Sequence, residues 1–227
     1  MDSTDQKSEV RITSTLLSGK PNENSAAVAV LVTMVLTFIS VLCWQNPWLF
    51  QLLSASRHQV FVGLEYWRLF TMMAVHADLS HLAVNAAYVV CFGYLLYGYF
   101  GFWIYPTAMV ILASLTTLVS LLTYPRGVVL IGASGLVYLM MSFWLVMYSF
   151  LERTVPFKKR LLRVIGITLI VLVPSTIQPE VSYRTHAIGA ALGIIAASAL
   201  FRLRKDQFRS LERIEVVRLE DPDSNPV

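Results

Sequence analysis

The stretch VVLIGASGLVYLMMSFWLVMYSF, residues 128–150, carries no charged residue and opens on Gly132-Ala133-Ser134-Gly135. A helix rises 1.5 Å per residue, so about 20 apolar residues cross roughly 30 Å of hydrocarbon, and this stretch is long enough to do so. Working outward, further apolar runs read as spans at about 26–44, 79–97, 102–123, 161–177 and 185–203. The whole chain agrees: of 227 residues 56% are hydrophobic and 14% charged, with a mean hydropathy of +0.62. An ordinary soluble domain has about 25% charged residues and could not bury this much apolar surface. The expected fold is an all-α integral membrane protein, a bundle of six transmembrane helices. Residues 1–25 read as a polar N-terminal tail, 26–203 as the membrane domain and 204–227 as a C-terminal tail.

Charge sets the orientation. With the N-terminus in the cytoplasm, Lys7, Arg11, Lys20, the cluster Arg153, Lys158, Lys159, Arg160, Arg163, and the tail residues Arg202, Arg204, Lys205, Arg209, Arg213, Arg218 all fall inside. Only Arg57, Arg68, Arg126 and Arg184 fall outside, so the positive-inside rule places both termini in the cytoplasm. The basic residues cluster between long uncharged runs rather than along a polar face, which argues against a nucleic-acid partner despite a pI near 9.1. Cys43 and Cys91 lie inside apolar runs and read as packing residues. The connection 45–78 holds Trp48, Phe50, Phe61, Tyr66 and Trp67, a density of aromatics suited to a hairpin in the membrane interface. The segment before the first span has no apolar stripe, and the tail after Arg204 reads as a short helix that frays into disorder. No inverted repeat of the kind found in many transporters is visible.

Polar residues inside spans are costly and therefore informative. Spans two, four and six all begin at the outer face, which puts His81 and Asn85, the Gly132–Gly135 segment with Ser134, and His186 at one depth. His81 and Asn85 are four apart and share a helix face. Ser134 needs a base to take its proton, and His186 can supply it if spans four and six touch closely. Gly132 and Gly135 around the serine, and Gly189 and Gly193 after the histidine, are small residues that allow backbone-to-backbone approach. Each feature also has a packing explanation: the glycines as helix contacts, Ser142 as a hydroxyl bonded back to the carbonyl four residues earlier in its own helix, and Asp78 as the N-cap of span two. His76, Asp78 and His81 could suggest a metal, but no HExxH spacing and no cysteine pair supports one, and no cofactor is expected.

These residues, in this order, resemble the rhomboid family of intramembrane serine proteases. The resemblance covers about 65–203 and rests on Trp67-Arg68, His81-x-x-x-Asn85, Gly132-Ala133-Ser134-Gly135 and His186-x-x-Gly189-x-x-x-Gly193. It implies Ser134 as nucleophile and His186 as general base, a dyad without a catalytic aspartate. It further implies that His81, Asn85 and the backbone N–H of Ser134 stabilise the oxyanion, and that Tyr138 packs beneath the histidine. Trp67 and Arg68 match a structural loop motif. One departure is Tyr97, which stands where many members carry a glutamate four residues after Gly93. The six-span form is the compact one common in bacteria, which implies an inner-membrane location, with transmembrane proteins as substrates and the bilayer as surroundings. Two other readings are a member that binds membrane clients without cleaving them, and a transporter. A transporter would carry such polar groups on through the midplane, whereas here they stop within about one turn of the outer ends.

Overall fold

The computed structural model describes residues 8–175 and 182–218. In chain order the elements are β1 (Ser8–Ser14), α1 (Ser25–Gln45), α2 (Pro47–Leu53), β2 (Ala55–Ser56), α3 (Arg57–Phe61), α4 (Arg68–Thr71) and α5 (Leu79–Phe100). There follow α6 (Met109–Thr123), β3 (Val129–Leu130), α7 (Ser134–Leu151), α8 (Phe157–Ser175), α9 (Tyr183–Leu203), α10 (Lys205–Ser210) and β4 (Arg213–Arg218). The molecule is an all-α membrane protein with two small strand pairings. Among the described residues, five helical stretches are long and apolar enough to cross a membrane: Ser25–Gln45, Leu79–Phe100, Trp103–Thr123, Ser134–Leu151 and Tyr183–Leu203. The predicted span 161–177 corresponds to α8, whose first turns carry Lys158, Lys159, Arg160 and Arg163; residues 176 and 177 lie outside the described residues.

Local sequence explains the helix ends. Asn46 Oδ1 accepts from the N–H groups of Trp48 and Leu49, with Pro47 as the first residue of α2, where its missing N–H costs nothing. Asp78 caps α5 by accepting from the His81 N–H at 2.8 Å and the Ser80 hydroxyl at 2.7 Å. It is a cap, as its position predicts. Gly101, at φ +75°, ends α5.

The core forms around α7. In the apolar stretch of α7 67% of residues are buried, against 22% in α1, so α7 is the central helix, while α1 packs on the outside against α5. Its closest neighbour is α9, followed by α5 and α6.

Three expectations are corrected. The span expected to begin at Val128 begins as a helix only at Ser134. Val129 and Leu130 instead pair antiparallel with Ser56 and Ala55, and Gly132, at φ +97°, turns the chain into α7. The β-branched pair Val128-Val129 next to a glycine suits an extended entry better than a first helical turn. The two chain ends are also not merely polar tails. β1 and β4 form an antiparallel ribbon in which Val10 faces Val216 and Ile12 faces Ile214, so residues 213–218 are ordered where fraying was expected. A third difference is small: Ser142 bonds back to Leu139 O at 3.1 Å, three residues before it rather than four.

Candidate active site

The site is assembled where α5, α7 and α9 begin. Ser134 is the first residue of α7 and is half-buried. The N–H groups at the start of a helix have no intrahelical acceptor, so the Ser134 N–H is left for an outside partner.

The α7–α9 seam brings His186 to this point. A Cβ on Gly189 would lie 2.5 Å from Gly135 O, and one on Gly193 would lie 2.3 Å from Leu139 O and 2.1 Å from Ser142 Oγ. Only glycine fits at these distances, and the two backbones touch. A Cβ on Gly135 would meet Thr185 Cγ2 at 2.9 Å, so three of the four predicted small residues face the seam. His186 is buried, and its ring stacks on Tyr138 at a centroid distance of 4.1 Å and an interplanar angle of 12°. Tyr138 is one helical turn beyond Ser134, so the stack fixes the imidazole above the serine's own helix.

A hydroxyl chain holds the first turn of α9 from the other side. Tyr124 Oη and Ser182 Oγ are 2.6 Å apart, as are Ser182 Oγ and Thr185 Oγ1, and Arg184 Nη1 donates to Thr123 O. The end of α6 is thereby tied to the residues flanking His186. Among the described residues Ser134 Oγ makes no hydrogen bond with the His186 ring.

α5 contributes the polar pair. Asn85 is buried, and its Nδ2 donates to His81 O at 2.9 Å, which occupies one of its two amide hydrogens. The His81 ring lies against Gly132: a Cβ there would meet Cε1 at 2.7 Å and Nε2 at 2.8 Å. Gly132 is thus required twice, by its positive φ and by the ring beside it. His81, Asn85, Ser134 and His186 are brought to the same end of the bundle, as their positions predict.

The connection between α1 and α5 braces this end. Arg68 is buried, and its guanidinium donates to Ser54 O at 2.7 Å, to Gln51 O and to the Glu65 carboxylate. The loop is folded around Arg68, while Trp67 remains exposed at its surface. Trp48 and Tyr66 are also exposed, consistent with an aromatic interfacial hairpin.

His76, which no motif in the sequence marks out as a site residue, is drawn into the site by the fold. It is 1% exposed and accepts the Ala133 N–H at Nε2, 3.2 Å away, directly before Ser134. Its ring also meets that of His81 edge-on at 5.0 Å. Burial, with the neighbouring His81, pushes its pKa down to about 4. The Asp78 carboxyl is held below the usual carboxylate range by the His81 N–H it accepts. Asp78 serves the helix end, and no group of three metal-ligating side chains is arranged around an ion site among the described residues.

Gly93, one turn before Tyr97, packs closely against Tyr105. A Cβ on Gly93 would meet the Tyr105 ring and hydroxyl at 2.7 Å. Tyr105 fills this space, and its buried Oη has no hydrogen-bond partner among the described residues.

The family model for the rhomboid domain matches residues 63–203. No curated protein matches the chain.

Proposed function

The chain belongs to the rhomboid family, and from that premise we propose that it is an intramembrane serine protease using a Ser134–His186 dyad. The observation that supports the reading is the stack of His186 on Tyr138, which holds the imidazole beside the helical turn that begins at Ser134, the only serine in the Gly132–Gly135 segment. In this reading His186 takes the Ser134 hydroxyl proton as Oγ attacks the scissile carbonyl carbon. The carbonyl π electrons move to oxygen, and the resulting oxyanion accepts hydrogen bonds from the Ser134 N–H, the His81 ring and the free Asn85 amide hydrogen. Donors of this kind are each worth roughly 3 to 4 kcal/mol in the transition state. The C–N bond then breaks, the amine leaves with the proton from His186, and an acyl-enzyme remains on Ser134. Water, deprotonated by His186, hydrolyses that ester and restores the serine.

The substrate follows from the chemistry. A helix buries its carbonyls in its own hydrogen bonds, so a transmembrane protein is cleaved where its segment unwinds, at helix-weak, small-residue sites near the outer leaflet. The charge distribution supports both termini in the cytoplasm.

A second reading, a client-binding member without activity, is favoured by one observation: Ser134 and His186 are not hydrogen-bonded. Catalytic hydrogen bonds are often long without substrate and tighten in the Michaelis complex, which is why the protease reading stands ahead. Labelling with a fluorophosphonate separates the two. The wild-type protein in detergent should react and Ser134→Ala should not; equal labelling of both, or none of either, contradicts the protease reading.

A further inference from the structure

The consecutive amides that lead into α7 are accounted for one by one. Gly132 N–H donates to Met72 O at 2.9 Å, and Ala133 N–H donates to His76 Nε2 at 3.2 Å. The next, Ser134 N–H, is the one the mechanism requires. Both acceptors come from a single segment, residues 72–76, so the geometry of that segment sets the peptide planes preceding the nucleophile.

The hydrogen-bond network also fixes the state of the His76 ring. Nδ1 is 2.8 Å from Ser40 Oγ, and Ser40 Oγ is within reach of Leu36 O at 2.9 Å and Ala74 O at 2.7 Å. The Ala133 N–H donates to Nε2, so that nitrogen carries the lone pair and the neutral ring holds its hydrogen on Nδ1, which donates to Ser40 Oγ and leaves the Ser40 hydroxyl hydrogen for one of the two carbonyls. Trp44 Nε1–H donates to His76 O at 2.7 Å, so α1 holds both the backbone and the ring of this residue.

We propose that His76 is a positioning residue: it carries the position of α1, through Ser40, to the Ala133 peptide and so sets the angle at which the Ser134 N–H faces the reacting carbonyl oxygen. The proposal rests on the reading of Ser134 as nucleophile. Ala133 is completely buried, so removing the acceptor leaves its N–H unsatisfied and the peptide turns to find another partner. The neighbouring Ser134 N–H moves with it, and an oxyanion donor works only within about 2.7–3.1 Å of the developing charge. The ring must also stay neutral. The titratable groups facing it are His81, edge-on, and Asp78 at the α5 cap; α1 presents the uncharged Ser40 and Trp44. With its pKa near 4 the imidazole keeps its Nε2 lone pair at neutral pH.

Two measurements test this. Nitrogen-15 NMR of histidine-labelled wild-type protein at neutral pH should show His76 protonated at Nδ1 and unprotonated at Nε2; the opposite tautomer, or a charged ring, overturns the proposal. The second compares two variants on a transmembrane reporter, with rates normalised to the sites titrated by fluorophosphonate at completion. In His76→Gln the side-chain oxygen reaches the Nε2 position, and kcat should stay within about threefold. In His76→Asn the amide nitrogen replaces Nδ1 and the Ala133 N–H loses its acceptor, so kcat should fall by about tenfold or more with KM within about twofold. Equal kcat in the two variants, or a loss confined to KM, overturns the proposal. If His76→Asn does not fold, Ser40→Ala takes its place, with a kcat loss expected and an unchanged kcat contradicting the relay. Wild-type protein that neither labels nor cleaves would overturn the protease reading itself; an active wild type with unaffected variants overturns only the role of His76.

Discussion

The two sides of α7 are packed in opposite ways. Toward α9, Gly189 and Gly193 press against backbone atoms, and a Cβ at either site would lie 2.5 Å or less from another atom. Toward α8, the contacts are made by side-chain tips near the helix start: Arg160 Nη1 reaches Ser149 O and Arg163 Nη1 reaches Tyr148 Oη at 2.9 Å. Gly166, in the middle of α8, has nothing within 4 Å of where its Cβ would be. Without a hydrophobic drive between helices in lipid, close backbone approach is what holds membrane helices together. The seam that aligns Ser134 and His186 is built that way, and α8 is not.

Breaking the seam should cost most. Gly193→Ala places a methyl group 2.3 Å from Leu139 O, a clash with backbone that side-chain rotation cannot relieve. Overpacking of this kind costs about 1–3 kcal/mol, and separation of His186 from Ser134 should remove nearly all cleavage. Unfolding free energies in micelles, together with reporter cleavage, would measure both. Gly132→Ala follows, since it forces a side chain onto φ +97° and into the His81 ring. Its stability should fall by about 1–2 kcal/mol, with kcat reduced more than KM is raised, because the proposed oxyanion donors lie on both sides of that residue.

Tyr138→Leu keeps an apolar side chain but removes the stack, worth about 0.5–1.5 kcal/mol. Here kcat should drop while the seam, judged by thermal unfolding, loses no more than that amount. Acid gives a further contrast. His76 has a folded pKa of about 4, below its ordinary value, so the unfolded chain binds its proton first and stability falls as pH drops from about 6.5 to 4. His76→Gln should lessen the slope of that part of a stability-against-pH curve and leave the region above about pH 7 unchanged. Gly166→Ala on α8 should have the smallest effect: within about 0.5 kcal/mol, or a gain of up to about 1 from helix propensity, with cleavage unaltered. A loss as large as that of Gly193→Ala would erase the distinction between the two sides.

Much of this architecture is legible in the sequence because the bilayer simplifies the reading. Uncharged runs gave α1, α5, the Trp103–Thr123 stretch and α9 to within a few residues, and Asp78 is recognisable as a cap from its place before His81. The start of α7 is not legible, because hydropathy does not distinguish an extended apolar entry from a helix; Val129 and Leu130 are strand only because Ala55 and Ser56 come beside them. The β1–β4 ribbon was hidden for the same reason, its partners being some 200 residues apart in the chain. His76 illustrates the limit at the site. Its position five residues before His81 is visible, but its meaning lies in Ser40 and Ala133, which only the fold brings to it.

The account depends most directly on Ser134 and His186 acting together. Purified wild-type protein, Ser134→Ala and His186→Ala should be placed in liposomes with a single-span reporter and the products mapped by mass spectrometry. Wild type should cut at a discrete site near the outer end of the reporter's span, and both variants should lose cleavage by at least about a thousandfold. Cleavage retained in Ser134→Ala would contradict the account, and cleavage retained in His186→Ala but lost in His81→Ala would move the base from α9 to α5.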